Sequence, residues 1–103
     1  MERIVLAYDG TDEGALDRRL THREAHLAII KELRPYLIHG GALLNDEGQM
    51  IGSMIITNFP TQQAFDDWMA REPFIVHKVW GDVKILPFAT APSFVGNIPQ
   101  LVL

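Results

Sequence analysis

Apolar and polar residues alternate from Arg3 to Tyr8, in a run rich in Ile and Val, and this period of two predicts a strand. Asp9-Gly10 breaks it. A loop to about Ala15 leads into a pattern of helical period from Leu16 to Arg34. Pro35 stops that helix by disfavouring the α conformation at Arg34. Tyr36 to Leu44 reads as a second strand, with Gly40-Gly41 inside it as a bulge or a point of close backbone approach. Asn45 to Gly48, NDEG, is a hairpin turn signal, and Met50 to Phe59 is the returning strand. Thr61 is a plausible N-cap for QQAFDDWMAR, a helix limited by Pro73. Val79 to Phe88 is the last strand.

The order β-α-β-β-α-β predicts a ferredoxin-like α+β domain, with two helices on one face of a four-stranded antiparallel sheet. The third strand carries Ile51, Ser53, Ile55 and Thr57 on one side and Met50, Gly52, Met54 and Ile56 on the other. Ile4 and Leu6 likewise alternate with Val5 and Ala7 in the first strand. Two helices cover only one face, so the second apolar face predicts a homodimer closed sheet to sheet, a dimeric α+β barrel. Residues 1–90 form the domain. Residues 91–103, with Pro92, Gly96, Pro99 and an apolar LVL end, form a tail expected to dock on the domain or on the partner copy.

The first helix holds an anomaly, RRLTHREAHL at 18–27. On a wheel of roughly 100° per residue, Leu16, Leu20, Leu27 and Ile30 form one stripe. Arg19, Arg23 and His26 fall inside it. A helix that points two guanidiniums and an imidazole inward is forming one wall of a pocket or burying ion pairs.

The composition narrows the chemistry. The chain has 103 residues, no cysteine and a net charge of −4, so thiol chemistry is excluded and nucleic acid or an anionic membrane is not the expected partner. No run approaches the ~18 apolar residues of a membrane span, and the first residues lack the apolar core of a signal peptide. A cytoplasmic protein is the default expectation.

His26 is the natural acid-base group at neutral pH. A carboxylate on one ring nitrogen, from Asp9 or Glu72, would orient it. Arg19 and Arg23, one turn apart, can hold a small anion, and Ser53 can donate a hydrogen bond beside Gly52. Such a set suits proton abstraction, HX elimination or isomerisation on a small carboxylate or phenol-like ring, with no cofactor. A plainer alternative stands beside each role. The arginines can be structural ion pairs to Asp9, Asp12 or Glu72, His26 a satisfied core histidine, and Ser53 a small strand residue. Phe65 and Trp68 are expected in the core, and Asp66-Asp67 on a solvated face. His22 and His26 are spaced for one metal, but HREAH is not the HExxH metalloprotease pattern, and no second spacing supplies a third ligand among His39, His77, Asp9 or Glu72. No metal is expected.

Several short segments together are similar to one family. AYD at 7–9, RLTHREAHL at 19–27, GGALL at 40–44, GS at 52–53, EPF at 72–74 and VKILPF at 83–88 resemble the YCII-related (YciI-like) domains. The resemblance covers roughly residues 2–88. It implies a branch of the dimeric α+β barrel superfamily, related in fold to muconolactone isomerase, with small-molecule enzymes among its members and a dehydrochlorinase of chlorinated hydroxyquinones in one branch. It also implies a His and Asp catalytic pair, which by motif match are His26 and Asp9. Where the family has an aspartate before Pro-Phe, this chain has Glu72, a carboxylate on an arm one methylene longer. The alternative function, from another class, is a non-catalytic module that binds or senses a small anion in the same pocket.

Overall fold

The computed structural model describes residues 1–98. Strand β1 (Glu2–Asp9) leads through a glycine-flanked loop into helix α1 (Ala15–Glu32). Strands β2 (Leu37–Leu44) and β3 (Met50–Asn58) form a hairpin. Helix α2 (Gln62–Arg71), a single turn α3 (Pro73–Val76) and strand β4 (Trp80–Pro87) complete the domain. The sheet is antiparallel in the order β2-β3-β1-β4, the ferredoxin-like arrangement expected from the element order. Among the described residues no helix is long and apolar enough to cross a membrane.

Local chemistry explains most boundaries. In the hairpin, the Asn45 side-chain oxygen accepts from the backbone N–H of Glu47 and of Gln49, at 3.0 and 2.9 Å, and Gly48 takes φ +80°. The Thr61 hydroxyl accepts from the Ala64 N–H at 3.1 Å and caps α2. Pro73 does end α2, but the chain at once begins another helical turn with that proline in its first position, where a missing N–H costs nothing. Glu72 therefore closes one helix and caps the next. The tail contains a short 3-10 helix (Pro92–Asn97), and the Thr90 N–H and hydroxyl both donate to Glu2. The expectation for the terminal PQLVL lies outside the described residues.

Val5, Ala7, Leu37 and Ile55 from the sheet pack with Phe65 and Trp68 of α2, Phe74 of α3, and Phe59 and Val79. The alternate residues of the strands lie on the other face of the sheet. There Ile4 pairs with Ile56 and Leu86, and Leu6 with Met54; Tyr8 and Leu86 are exposed.

Helix α1 corrects the wheel. Its buried residues are Ala15, Arg19 and His26, with Ile29, Ile30 and Leu33 packed on the core beyond them. Leu20 and Leu27 are 52% and 46% exposed, and Arg23 is exposed. The inward direction is thus turned about 100° from the Leu16-Leu20-Leu27 line, one residue's step on the wheel. The apolar residues of α1 are spread around its surface, so the leucines do not define the inner side. Buried partners, in the sheet for Arg19 and at the α2–α3 junction for His26, draw the two inward instead.

Candidate functional site

Asp9 ends β1 on the helix-covered face of the sheet. Beside it the β1–β4 register shifts: Tyr8 pairs with Asp82 but Asp9 with Trp80, leaving Gly81 as the extra residue. Such a bulge re-aims the side chains around it. Asp9, Arg19, Ser53 and Trp80 meet there, all buried. Arg19 Nε donates to Asp9 Oδ2 at 2.7 Å and Nη2 to Asp9 Oδ1 at 3.3 Å. Nη2 also reaches the Gly52 carbonyl and Ser53 Oγ, both at 2.6 Å, and Trp80 Nε1 donates to Ser53 Oγ at 3.1 Å. The guanidinium lies 4.7 Å over the Phe74 ring. Asp9 is therefore the partner of Arg19.

The partner of His26 is Glu72. Nδ1 of His26 lies 2.5 Å from Glu72 Oε1. Glu72 is fully buried, and Trp68 Nε1 donates to its Oε2 at 3.0 Å while the Phe74 N–H donates to Oε1 at 3.2 Å. Three donors thus hold this carboxylate in one place. The imidazole stacks on Phe74 at 4.0 Å and meets Trp80 edge-on at 6.1 Å. With Nδ1 occupied, Nε2 has no partner among the described residues. Among the described residues the buried side-chain nitrogen lacking a partner is Arg18 Nε, so Nε2 of His26 is not sealed in. The side chain keeps 10% of its surface open.

That opening faces a cavity of about 300 Å³ between α1 and the β2–β3 pair. Among the described residues its polar lining comes from Arg19, Arg23, His26, Arg34, His39 and Ser53, and none of them is a carboxylate. Leu27, Ile30, Ile38 and Ile55 supply apolar wall. Gly40 also lines it; a Cβ there would lie 2.5 Å from the Met54 carbonyl, so glycine lets the two strands close up. The cavity is cationic because Asp9 and Glu72 stand behind their basic partners, away from the lumen. Arg23 lies at its exposed side, and no ion pair among the described residues involves it.

The structure thus brings together Arg19, His26 and Ser53 at the cavity wall, supported by Asp9 and Glu72. It does not join His26 to His22, which stacks instead on His77 with centroids 3.8 Å apart. Among the described residues no group of three or more His, Cys, Asp or Glu could hold a metal ion. Trp68, assigned only to the core from the sequence, also fixes Glu72; their separation of four residues on one helix face was the available signal. Trp80, Arg34 and the cavity role of His39 carried no local signal. Outside the cavity, Asp12 accepts both bonds of Arg18 at 2.9 Å, and this contact lowers the Asp12 pKa from 3.8 to about 2. The same pairing raises that of Arg18.

Comparisons agree with this architecture. An uncharacterized protein of Haemophilus influenzae is 36% identical over 81 residues, covering 71% of this chain and 83% of that one. Protein YciI of Escherichia coli is 30% identical over 93 residues, covering 82% and 93%. Among solved structures, 5-chloro-2-hydroxyhydroquinone dehydrochlorinase of Burkholderia phenoliruptrix, in complex with 2,5-dihydroxybenzoquinone, superposes with a TM-score of 0.77 at 20% identity, over 90% of this chain and 98% of its own. An antibiotic biosynthesis monooxygenase superposes with a TM-score of 0.57 at 15% identity, covering 89% and 100%. At these identities the two structures speak for the fold. The YCII-related domain profile matches residues 1–89, and the chain belongs to that family.

Proposed function

We propose that this protein is a cofactor-independent small-molecule enzyme of lyase or isomerase type, acting on a small anionic or phenol-like substrate. The carrying observation is a histidine whose Nδ1 is fixed on buried Glu72 while its open side faces a cavity lined, among the described residues, by cations and by no carboxylate. Glu72 sets the tautomer and stabilises the imidazolium, and Nε2 takes and returns the proton. Arg19 and Arg23 hold the anionic part of the substrate, Asp9 keeps Arg19 in place, and Ser53 lies beside it.

A chlorinated hydroxyquinol, the substrate named for the Burkholderia structure, fits this chemistry without an oxidant. Two O–H protons leave, one proton is added to the ring carbon that carries chlorine, and chloride departs with its bonding pair. The ring becomes a quinone and the net loss is H⁺ and Cl⁻. The second apolar sheet face supports the proposal that the working form is a homodimer closed through the sheets.

The test is chloride release from 5-chloro-2-hydroxyhydroquinone and a panel of related phenols and small carboxylates. Turnover that disappears in His26→Ala while ligand binding survives supports the enzyme. Saturable binding with no turnover on any member overturns it in favour of a non-catalytic anion-binding module, the reading that the cationic lining alone would allow.

A further inference from the structure

Ser53 is buried and lines the cavity. Its hydroxyl oxygen accepts from Arg19 Nη2 at 2.6 Å and from Trp80 Nε1 at 3.1 Å. A hydroxyl has two acceptor lone pairs and one donor. Both acceptor positions are taken here, one by a cationic group. What remains is the O–H, and it donates to no described residue. No base among the described residues accepts that proton, and both lone pairs are engaged, so Ser53 is not placed to act as a nucleophile. Its chemistry is that of a donor.

Arg19 is in a similar position. Nε and Nη2 are committed to Asp9, the Gly52 carbonyl and Ser53, whereas Nη1 has no partner among the described residues and is not sealed from solvent. Arg19 also lines the cavity. The Ser53 O–H and the Nη1 N–H groups are therefore unspent donors side by side, backed by a fixed positive charge. Arg19, Ser53 and His26 all line the same cavity, so a ligand bound there meets the donors and the imidazole from one side.

From this we infer that Ser53 Oγ–H and Arg19 Nη1 form an oxyanion site, and that the protein binds a phenolate or enolate oxygen there in preference to the neutral hydroxyl. This rests on the proposed proton transfer and names its substrate class: a planar ring or enol whose oxygen is ionised at the Ser53–Arg19 end while His26 handles a proton at the other. Preorganised donors of this kind stabilise charge as it develops, because they need no reorientation when it appears. The other charged and titratable groups nearby are Asp9 behind Arg19, Glu72 behind His26, Arg23 at the open side, and Arg34 and His39 in the cavity lining.

The probe is para-nitrophenol, whose phenolate absorbs in the visible, compared with para-cresol, which stays neutral near pH 7. Wild-type protein should bind para-nitrophenol as the yellow anion below its free pKa. Ser53→Ala should weaken that anion binding about tenfold, the loss of one good hydrogen bond to charge, and leave para-cresol binding unchanged. Ser53→Thr, which keeps the hydroxyl, should restore the preference, with melting temperature reporting on the fold of both variants. Equal effects on the two probes in Ser53→Ala, or none on either, would overturn the inference, as would a Ser53→Thr that behaves like Ser53→Ala. His26→Ala should retain the anion preference. The binding result is read without turnover, so an absent reaction with an intact anion preference would reject the proposed enzyme and leave the oxyanion site standing.

Discussion

Glu72 and His26 stand 46 residues apart in the chain and 2.5 Å apart in the fold. The contact crosses from the junction of α2 and α3 to the inner side of α1, and Trp68 completes it from one turn earlier in α2. A carboxylate with three donors and no exposure is rigid, so the ring it holds is rigid as well. That rigidity is what a proton-transfer group needs, and it also ties the helices together.

Glu72→Ala should therefore harm both stability and chemistry. It leaves Trp68 Nε1 and the Phe74 N–H unpaired in the interior and frees the imidazole. We expect a loss of about 3 to 5 kcal/mol in urea unfolding, the usual result of removing one partner from a buried pair. His26→Ala at the same contact should lower turnover about 10²- to 10⁴-fold, the typical contribution of a general acid-base group. A Glu72→Ala protein as stable as wild type would show that the pair does not hold the helices.

Arg19 and Arg23 are one turn apart and should behave oppositely. Arg19→Met leaves Asp9 buried without its cation and should cost about 3 to 5 kcal/mol. Arg23→Met removes an exposed charge and should change stability by no more than about 0.5 kcal/mol, while weakening anion binding about tenfold. Thermal unfolding and calorimetric titration on the same two variants check this. Equal destabilisation by both would mean that Arg23 is structural.

The second face of the sheet predicts assembly. Sedimentation of wild-type protein at micromolar concentration should give a dimer. Met54→Lys places a charge opposite Leu6 on that face and away from the helix-covered core; it should give a folded monomer, because an unpaired charge is costly to bury at an interface. Wild-type monomer at every concentration would remove the barrel proposal.

Asp12 and Arg18 set an acid titration. The Asp12 pKa is depressed from 3.8 to about 2 by the Arg18 hydrogen bonds. Being depressed in the folded chain, the carboxylate contributes stability that is present above the ordinary value and is lost as pH falls through about 2. The pair is solvent-exposed and screened by salt, so the contribution is small. Carboxyl NMR should place the Asp12 midpoint near 2 in the wild type and return it toward 3.8 in Arg18→Gln.

The sequence by itself determined the element order, and with it the fold. Period-two runs, a helical run stopped by Pro35, a turn at Asn45–Gly48 and the Thr61 cap are local facts, decided by backbone sterics and nearby hydrogen bonds. It also marked α1 as anomalous, since Arg19 and His26 are too polar for an inner face unless partners wait there. Only the tertiary structure decided who those partners are. Asp9 lies 10 residues from Arg19 and Glu72 lies 46 from His26, and either carboxylate satisfies the bare demand for a counter-charge. The choice rests on the bulge at Tyr8 and Asp9, on Pro73 opening a new turn that aims Glu72 inward, and on a helix turned away from its leucines. Each depends on how whole elements pack, and no window of neighbouring residues contains that information.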